Sequence, residues 1–252
     1  MLTKRIIPSL LMRAGRLVKG VGFAAHKDAG NPDTTAKAHD AQGADEMILL
    51  DIDAAREGRG PDVNAIRRVA TECSMPLTVG GGIRSIDDGR SCMDAGADKL
   101  CLTAAALESL DIIDDLAHVF GAQAVVVGID VIIVDYTPRL YDHRIGKAIA
   151  GIDLLDWSAE AIRRGVGEIK LMAVNREGAR AGMATDLLKT FMDRFDVPVI
   201  LEGGAGSLED LDTAFSAGAG ALALGTMLVF SDNNIVKVKR YLAGKGHNVR
   251  LG

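Results

Sequence analysis

The chain has 252 residues and a formal net charge of -5, with 48% apolar and 4% aromatic residues. Such a length suits one closed α/β barrel, and the apolar share supplies a sizeable core. The acidic balance and the scarcity of rings exclude a nucleic-acid surface, which needs clustered Lys and Arg for phosphates and aromatic faces for bases.

Residues 5–11 form an apolar run that predicts a first buried strand, and residues 12–30, polar and glycine-containing, predict a mobile loop after it. The apolar run of MLTKRIIPSLLMRAG is too short, and too soon interrupted by Arg13, for a signal peptide or a membrane span. A cytoplasmic chain without membrane contact is expected. Asn31-Pro32-Asp33 is a helix start signal before a helix over 35–42, and residues 46–52 (EMILLDI) predict a second strand with Asp51 and Asp53 at its end. A helix over 62–73, a strand at Leu77, a helix over 86–95 and a strand over 99–103 follow.

The rhythm then repeats. Residues 124–130 (AVVVGID) predict a strand ending on a carboxyl group, and 131–151 a long connection with room for a small hairpin. A helix over 155–164, a strand over 168–174 and a helix over 186–195 precede two strands at 199–202 and 219–224 that flank a short helix; residues 235–242 are the last helix. Eight alternations of strand and helix predict a parallel sheet closed as a (β/α)8 TIM barrel, one domain over residues 1–252; a doubly wound open sheet is the competing architecture.

Pro76 to Gly82 (PLTVGGG) recurs 122 residues later as PVILEGG from Pro198, so that Gly81 matches Gly203, Gly82 matches Gly204 and Thr103 matches Gly225. The step is close to half the chain and predicts half-barrels of about 1–122 and 123–252 with two matched anion sites. In such a barrel the residues after each strand crowd one rim, here including Leu11, Asp51, Asp53, Gly82, Thr103, Asp130, Asn175, Glu177, Gly204, Gly225 and Thr226. The glycine turns read as phosphate cradles, with simple tight turns as the alternative. Asp130 is a candidate general acid/base, Lys19 either an anion clamp or a solvated surface charge, and Asp51 and Asp53 either catalysts or local anchors. At the opposite strand ends Arg5, Glu46, Lys99 and Glu168 can form a floor ring of ion pairs, whose plainest reading is stability. Cys73, Cys92 and Cys101 lack metal-site spacing and read as reduced thiols, so neither a metal nor a cofactor is expected.

The runs KRIIPSLL, DEMILLDIDA, PLTVGGGIRS, QAVVVGID, GEIKL and PVILEGGAGSLEDL, with the ending GHNVRL, resemble the cyclase subunit of imidazole glycerol phosphate synthase over essentially the whole chain. The resemblance implies a two-phosphate ribonucleotide across the rim and ammonia rising through the barrel from a separate glutaminase subunit at the floor. It implies that Gly82, Thr103, Gly178, Gly204, Gly225 and Thr226 hold the phosphates with support from Lys19, and that Asp130 is one of two catalytic carboxyl groups. The floor ring of Arg5, Glu46, Lys99 and Glu168 becomes an ammonia gate, and Asp98 a glutaminase contact.

The chain departs from that pattern where the family has its other catalytic aspartate, at Leu11. Thr103-Ala104 stands for Asn-Thr, Met172-Ala173 for Thr-Ser, and Asn175, Glu177 and Ala179 for Asp, Asp and Thr. The combination resembles a divergent branch that supplies ammonia for amidation of bacterial surface sugars, and this is the expected function. The alternatives are a true cyclase of histidine synthesis, in which Asp51 or Glu177 substitutes for the missing acid, and a non-catalytic barrel that only activates a glutaminase. A related sugar-phosphate isomerase would need no floor gate.

Overall fold

Eight parallel strands close on themselves in the computed structural model of the chain, which describes residues 3–251. They are β1 (Arg5–Arg13), β4 (Met47–Asp51), β5 (Leu77–Gly80), β6 (Lys99–Leu102), β7 (Val125–Val134), β10 (Glu168–Ala173), β11 (Val199–Glu202) and β12 (Ala221–Leu224), and β12 pairs back onto β1. The remaining strands are hairpin additions at the rim: β2 (Arg16–Val21) and β3 (Ala24–Gly30) after β1, β8 (Thr137–Asp142) and β9 (Lys147–Ala148) after β7.

Strand alternation sorts the side chains. In β1, Ile6, Leu10 and Met12 join the large core between strands and helices, whereas Ile7 joins Ile48, Ile200, Ala221 and Ala223 in a small cluster inside the barrel. The outer layer includes α1 (Pro32–Ala41), α2 (Val63–Glu72), α3 (Ile86–Asp94), α4 (Ala104–Glu108), α5 (Asp111–Phe120), α6 (Leu154–Arg163), α7 (Thr185–Arg194), α8 (Leu208–Ser216), α9 (Thr226–Val229) and α10 (Ile235–Gly244). Helix starts follow local chemistry. Asn31 accepts from the Asp33 and Thr34 amides, and Ser85 and Ser207, mates across the repeat, each accept from the amide three residues on. Lys239 on α10 is buried and donates to the Gly43 carbonyl at 2.6 Å and to Asp45 at 2.7 Å, tying the last helix to the chain entering β4.

The half-chain step is carried into the backbone: β5 and β11 begin 122 residues apart, as do β6 and β12 and α3 and α8. Sequence reading missed α5, whose apolar face of Ile112, Ile113 and Leu116 packs on the barrel.

Residues 12–30 are not a mobile loop. The strand β1 runs on to Arg13, turns through Ala14 and Gly15 at positive φ, and returns as β2, with β3 antiparallel to it. Backbone pairing holds this hairpin, and β3 has no buried residue, so it leaves no apolar alternation in the sequence. Residues 131–151 do form a hairpin, as expected. No helix among the described residues is long and apolar enough to cross a membrane.

Candidate active site

The floor of the barrel is closed by charge. Arg5 reaches Glu46 at 2.5 Å and also Glu168, while Lys99 reaches Glu46 at 3.0 Å and Glu168 at 3.1 Å. Each acid therefore has both bases as partners, a closed ring of four from β1, β6, β10 and the residue before β4. Burial alone would push the Glu168 carboxyl up; Arg5, and then Lys99, outweigh it and hold Glu168 below the ordinary glutamate value. Asp98 is exposed beside Lys99 on the same face, where its carboxyl accepts from the Leu77 amide at 2.8 Å.

Above the ring and the small apolar cluster, Lys170 and Glu202 form a buried pair at 2.7 Å, both within the barrel lumen. Burial alone would discharge Lys170, but Glu202 and Asp130 raise its affinity for a proton well above the ordinary lysine value. The alternation of GEIKL puts Lys170 on the same inward face as Glu168, so its place in the barrel interior is legible in sequence, whereas its pairing with Glu202 is not.

At the rim an open cavity of about 1100 Å³ is lined by Leu11, Gly82, Thr103, Asp130 and Met172, with Lys170 and Glu202 at its base. Asp130, 7% exposed, shares this cavity with Leu11, so an apolar side chain joins the carboxyl in the lining. Cys101 lies in the lining, and burial pushes its thiol up to about 11, which makes it a poor nucleophile. Asp51 and Asp53 are anchors here: Arg59 grips both oxygens of Asp51 at 2.6 and 2.9 Å, and Arg13 grips Asp53 at 2.6 and 3.2 Å. Asn175 instead bonds the Ile133 amide at 2.7 Å and so holds the β7–β8 hairpin.

A second, smaller pocket collects Lys19, Glu177, Gly178, Gly204, Gly225 and Thr226, with an empty volume of about 330 Å³. Gly82 and Gly204, the matched turn positions, have φ of +81° and +93°, a region that a Cβ disfavours, and a Cβ at Gly204 would collide with the Gly182 carbonyl. A Cβ at Gly225 would strike the Lys19 ammonium, which fills the space that residue leaves open. Lys19 is not the solvated charge that its sequence context allowed. It is 4% exposed on β2, and among the described residues it forms no hydrogen bond and no ion pair. Burial pushes its pKa down, and Glu202 and Glu177 only partly offset this. A buried ammonium without a close partner, facing glycine turns, is a ready anion site. Of the residues expected to bind phosphate, Gly82 and Thr103 thus fall in the first pocket and Lys19, Gly178, Gly204, Gly225 and Thr226 in the second.

Sequence reading also passed over His143, which enters the first cavity from the connection after β8 with Nδ1 3.3 Å from an Asp130 oxygen. Nothing in the local sequence marks it, since the contact depends on how the hairpin folds over the rim. Among the described residues no group of three or more His, Cys, Asp and Glu could hold a metal.

Two measurements test these charges. Lys19→Met should raise thermal stability, because an unpaired buried charge is removed, and weaken inorganic phosphate binding by about 10- to 100-fold, since a charge-assisted hydrogen bond contributes about 1.5–3 kcal/mol. Glu168, its folded pKa depressed, contributes stability that is full above the unfolded value of about 4.3 and lost as pH falls through the lower folded value. Urea denaturation across the acid range should therefore show a shallower loss of stability in Glu168→Gln than in the natural chain.

Comparison with known proteins agrees with this architecture. The family model described as "Histidine biosynthesis protein" matches residues 5–234. Proteins named imidazole glycerol phosphate synthase subunit HisF are similar throughout: that of Dictyoglomus thermophilum is 42% identical over 251 residues, covering 100% of both chains, and that of Wolinella succinogenes is 40% identical over 251 residues, covering 99% of both. That of Geobacillus thermodenitrificans is 41% identical over 253 residues, covering 99% of this chain and all of the relative. With a barrel closed by a floor ring and matched turns at its rim, the chain belongs to the histidine biosynthesis protein family that includes these HisF subunits.

Proposed function

We propose that this chain is the ammonia-using barrel of a glutamine-dependent synthase and works with a glutaminase subunit docked at the floor, near Asp98. The carrying observation is the order of groups along the barrel interior. A ring of Arg5, Glu46, Lys99 and Glu168 stands at one end, the Asp130 cavity at the other, and between them lie the small apolar cluster and the buried Ser9 hydroxyl. Neutral ammonia fits such a path and ammonium does not, because a cation entering a water-poor lumen loses its hydration. Displacement of Lys99 from its two acids would open the ring.

The acceptor carries phosphate. Gly82 and Thr103 hold one group in the first pocket, and Lys19 with Gly178, Gly204, Gly225 and Thr226 holds another in the second. Asp130 moves protons as ammonia adds. No metal or cofactor enters this scheme.

Two acceptors fit. The names of the full-length relatives favour the two-phosphate ribonucleotide of imidazole glycerol phosphate synthesis, which therefore moves ahead of surface-sugar amidation, the function expected from sequence. Leu11 favours amidation, since a leucine in the lining it shares with Asp130 cannot supply a second acid/base group. The substitutes expected from sequence do not fill that gap, because Asp51 is gripped by Arg59 and Glu177 lies in the second pocket.

Ammonia-dependent turnover of the two-phosphate ribonucleotide decides between them. On the cyclase reading the natural chain turns over and Asp130→Asn loses about 10²- to 10⁴-fold. An inert natural chain that gains activity as Leu11→Asp means that the chemistry serves another acceptor. In complex with its glutaminase, Lys99→Ala should leave glutamine hydrolysis running while less of the ammonia reaches product; unchanged coupling with reduced stability would make the ring purely structural.

A further inference from the structure

We infer that His143 is the second acid/base group of this barrel, oriented by Asp130 and taking the part that a carboxyl group at Leu11 would have played. The inference rests on the proposed use of ammonia. His143 Nδ1 lies 3.3 Å from Asp130 Oδ2, the long end of a hydrogen bond, and both side chains line the cavity that contains Leu11. A carboxylate only accepts, which assigns the proton to Nδ1. Among the described residues the imidazole has no other hydrogen-bond partner, so Nε2 is free to face an acceptor in the cavity.

The placement is built. Arg56 donates to the His143 carbonyl at 3.1 Å from the β4 side. On the other side the next residue, Arg144, grips both oxygens of Asp142 at 3.0 and 2.8 Å and also reaches Glu108 on α4. The imidazole is therefore held over the rim between two anchored neighbours and is 21% exposed, open to a ligand and not to bulk solvent on all sides.

A base held by a carboxylate through one ring nitrogen and working through the other is a general arrangement for proton transfer. At an acceptor carbonyl, the ammonia lone pair forms the N–C bond while the C–O π pair moves onto oxygen. Nε2 takes a proton from the new ammonium nitrogen and returns it to that oxygen. A second transfer of the same kind expels the oxygen as water and leaves C=N, so that carbonyl and ammonia become imine and water with no other reactant. Asp130 keeps the ring aligned and stabilises the imidazolium formed between transfers.

The first test is ammonia-dependent turnover of the two-phosphate ribonucleotide by the natural chain, His143→Gln and His143→Ala. A loss of about 10²- to 10⁴-fold in both variants, partly restored in His143→Ala by added imidazole, is expected. A His143→Gln variant at the natural rate would overturn the inference. If the natural chain is inert on this compound, the cyclase reading fails separately, and nuclear magnetic resonance of 15N-labelled histidine in the free protein decides. The expected signal is a His143 Nδ1–H proton shifted far downfield and lost in Asp130→Ala. An unprotonated Nδ1 sinks the dyad.

Discussion

A closed parallel barrel directs every second strand residue into a lumen that bulk water reaches poorly, so each ionised group inside requires a partner or a ligand. The lumen obeys this rule with one exception. Arg5, Glu46, Lys99 and Glu168 satisfy one another at the floor, and Lys170 and Glu202 satisfy one another higher in the barrel. The exception is Lys19, which comes over the rim from the first hairpin and ends among glycine turns with no close anion. Its cost to the free chain is the reason to expect an anion there when the protein works, a small loss of stability held in place by the hairpin around it.

The two halves share a backbone and differ in chemistry. Gly81 and Gly82 have φ of +100° and +81°, Gly203 and Gly204 of +94° and +93°, so both turns use the left-handed region at the matched positions. Side chains then diverge: the first half opens into the wide cavity with Asp130, Thr103 and Leu11, the second into a narrow pocket lined by Lys19 and Glu177. The repeat supplies two matched glycine turns, and the hairpins after β1 and β7 make their surroundings unequal. One hairpin brings a lysine to the second pocket and the other brings a histidine to the first.

These features form one line through the molecule. Charge closes the floor, a small apolar cluster keeps the next layer dry, and polar groups resume at Lys170, Glu202 and the rim. Under the function proposed above, a neutral nitrogen nucleophile would follow this line to an acceptor in the rim cavity. Leu11, buried in the cavity wall, packs there without the partner that a carboxyl would have required.

The sequence by itself determined the barrel, because strand alternation and the 122-residue step are properties of spacing alone. It also determined the floor ring, since Arg5, Glu46, Lys99 and Glu168 stand at strand starts that closure must bring together. Only the tertiary structure decided that Lys19 is buried, that Asp51 and Asp53 are occupied by arginines, and that His143 meets Asp130. Those outcomes depend on hairpins and loops held by backbone pairing and local ion pairs. Such contacts impose no period on the sequence, so the side chains they deliver to the rim become visible only when the chain is folded.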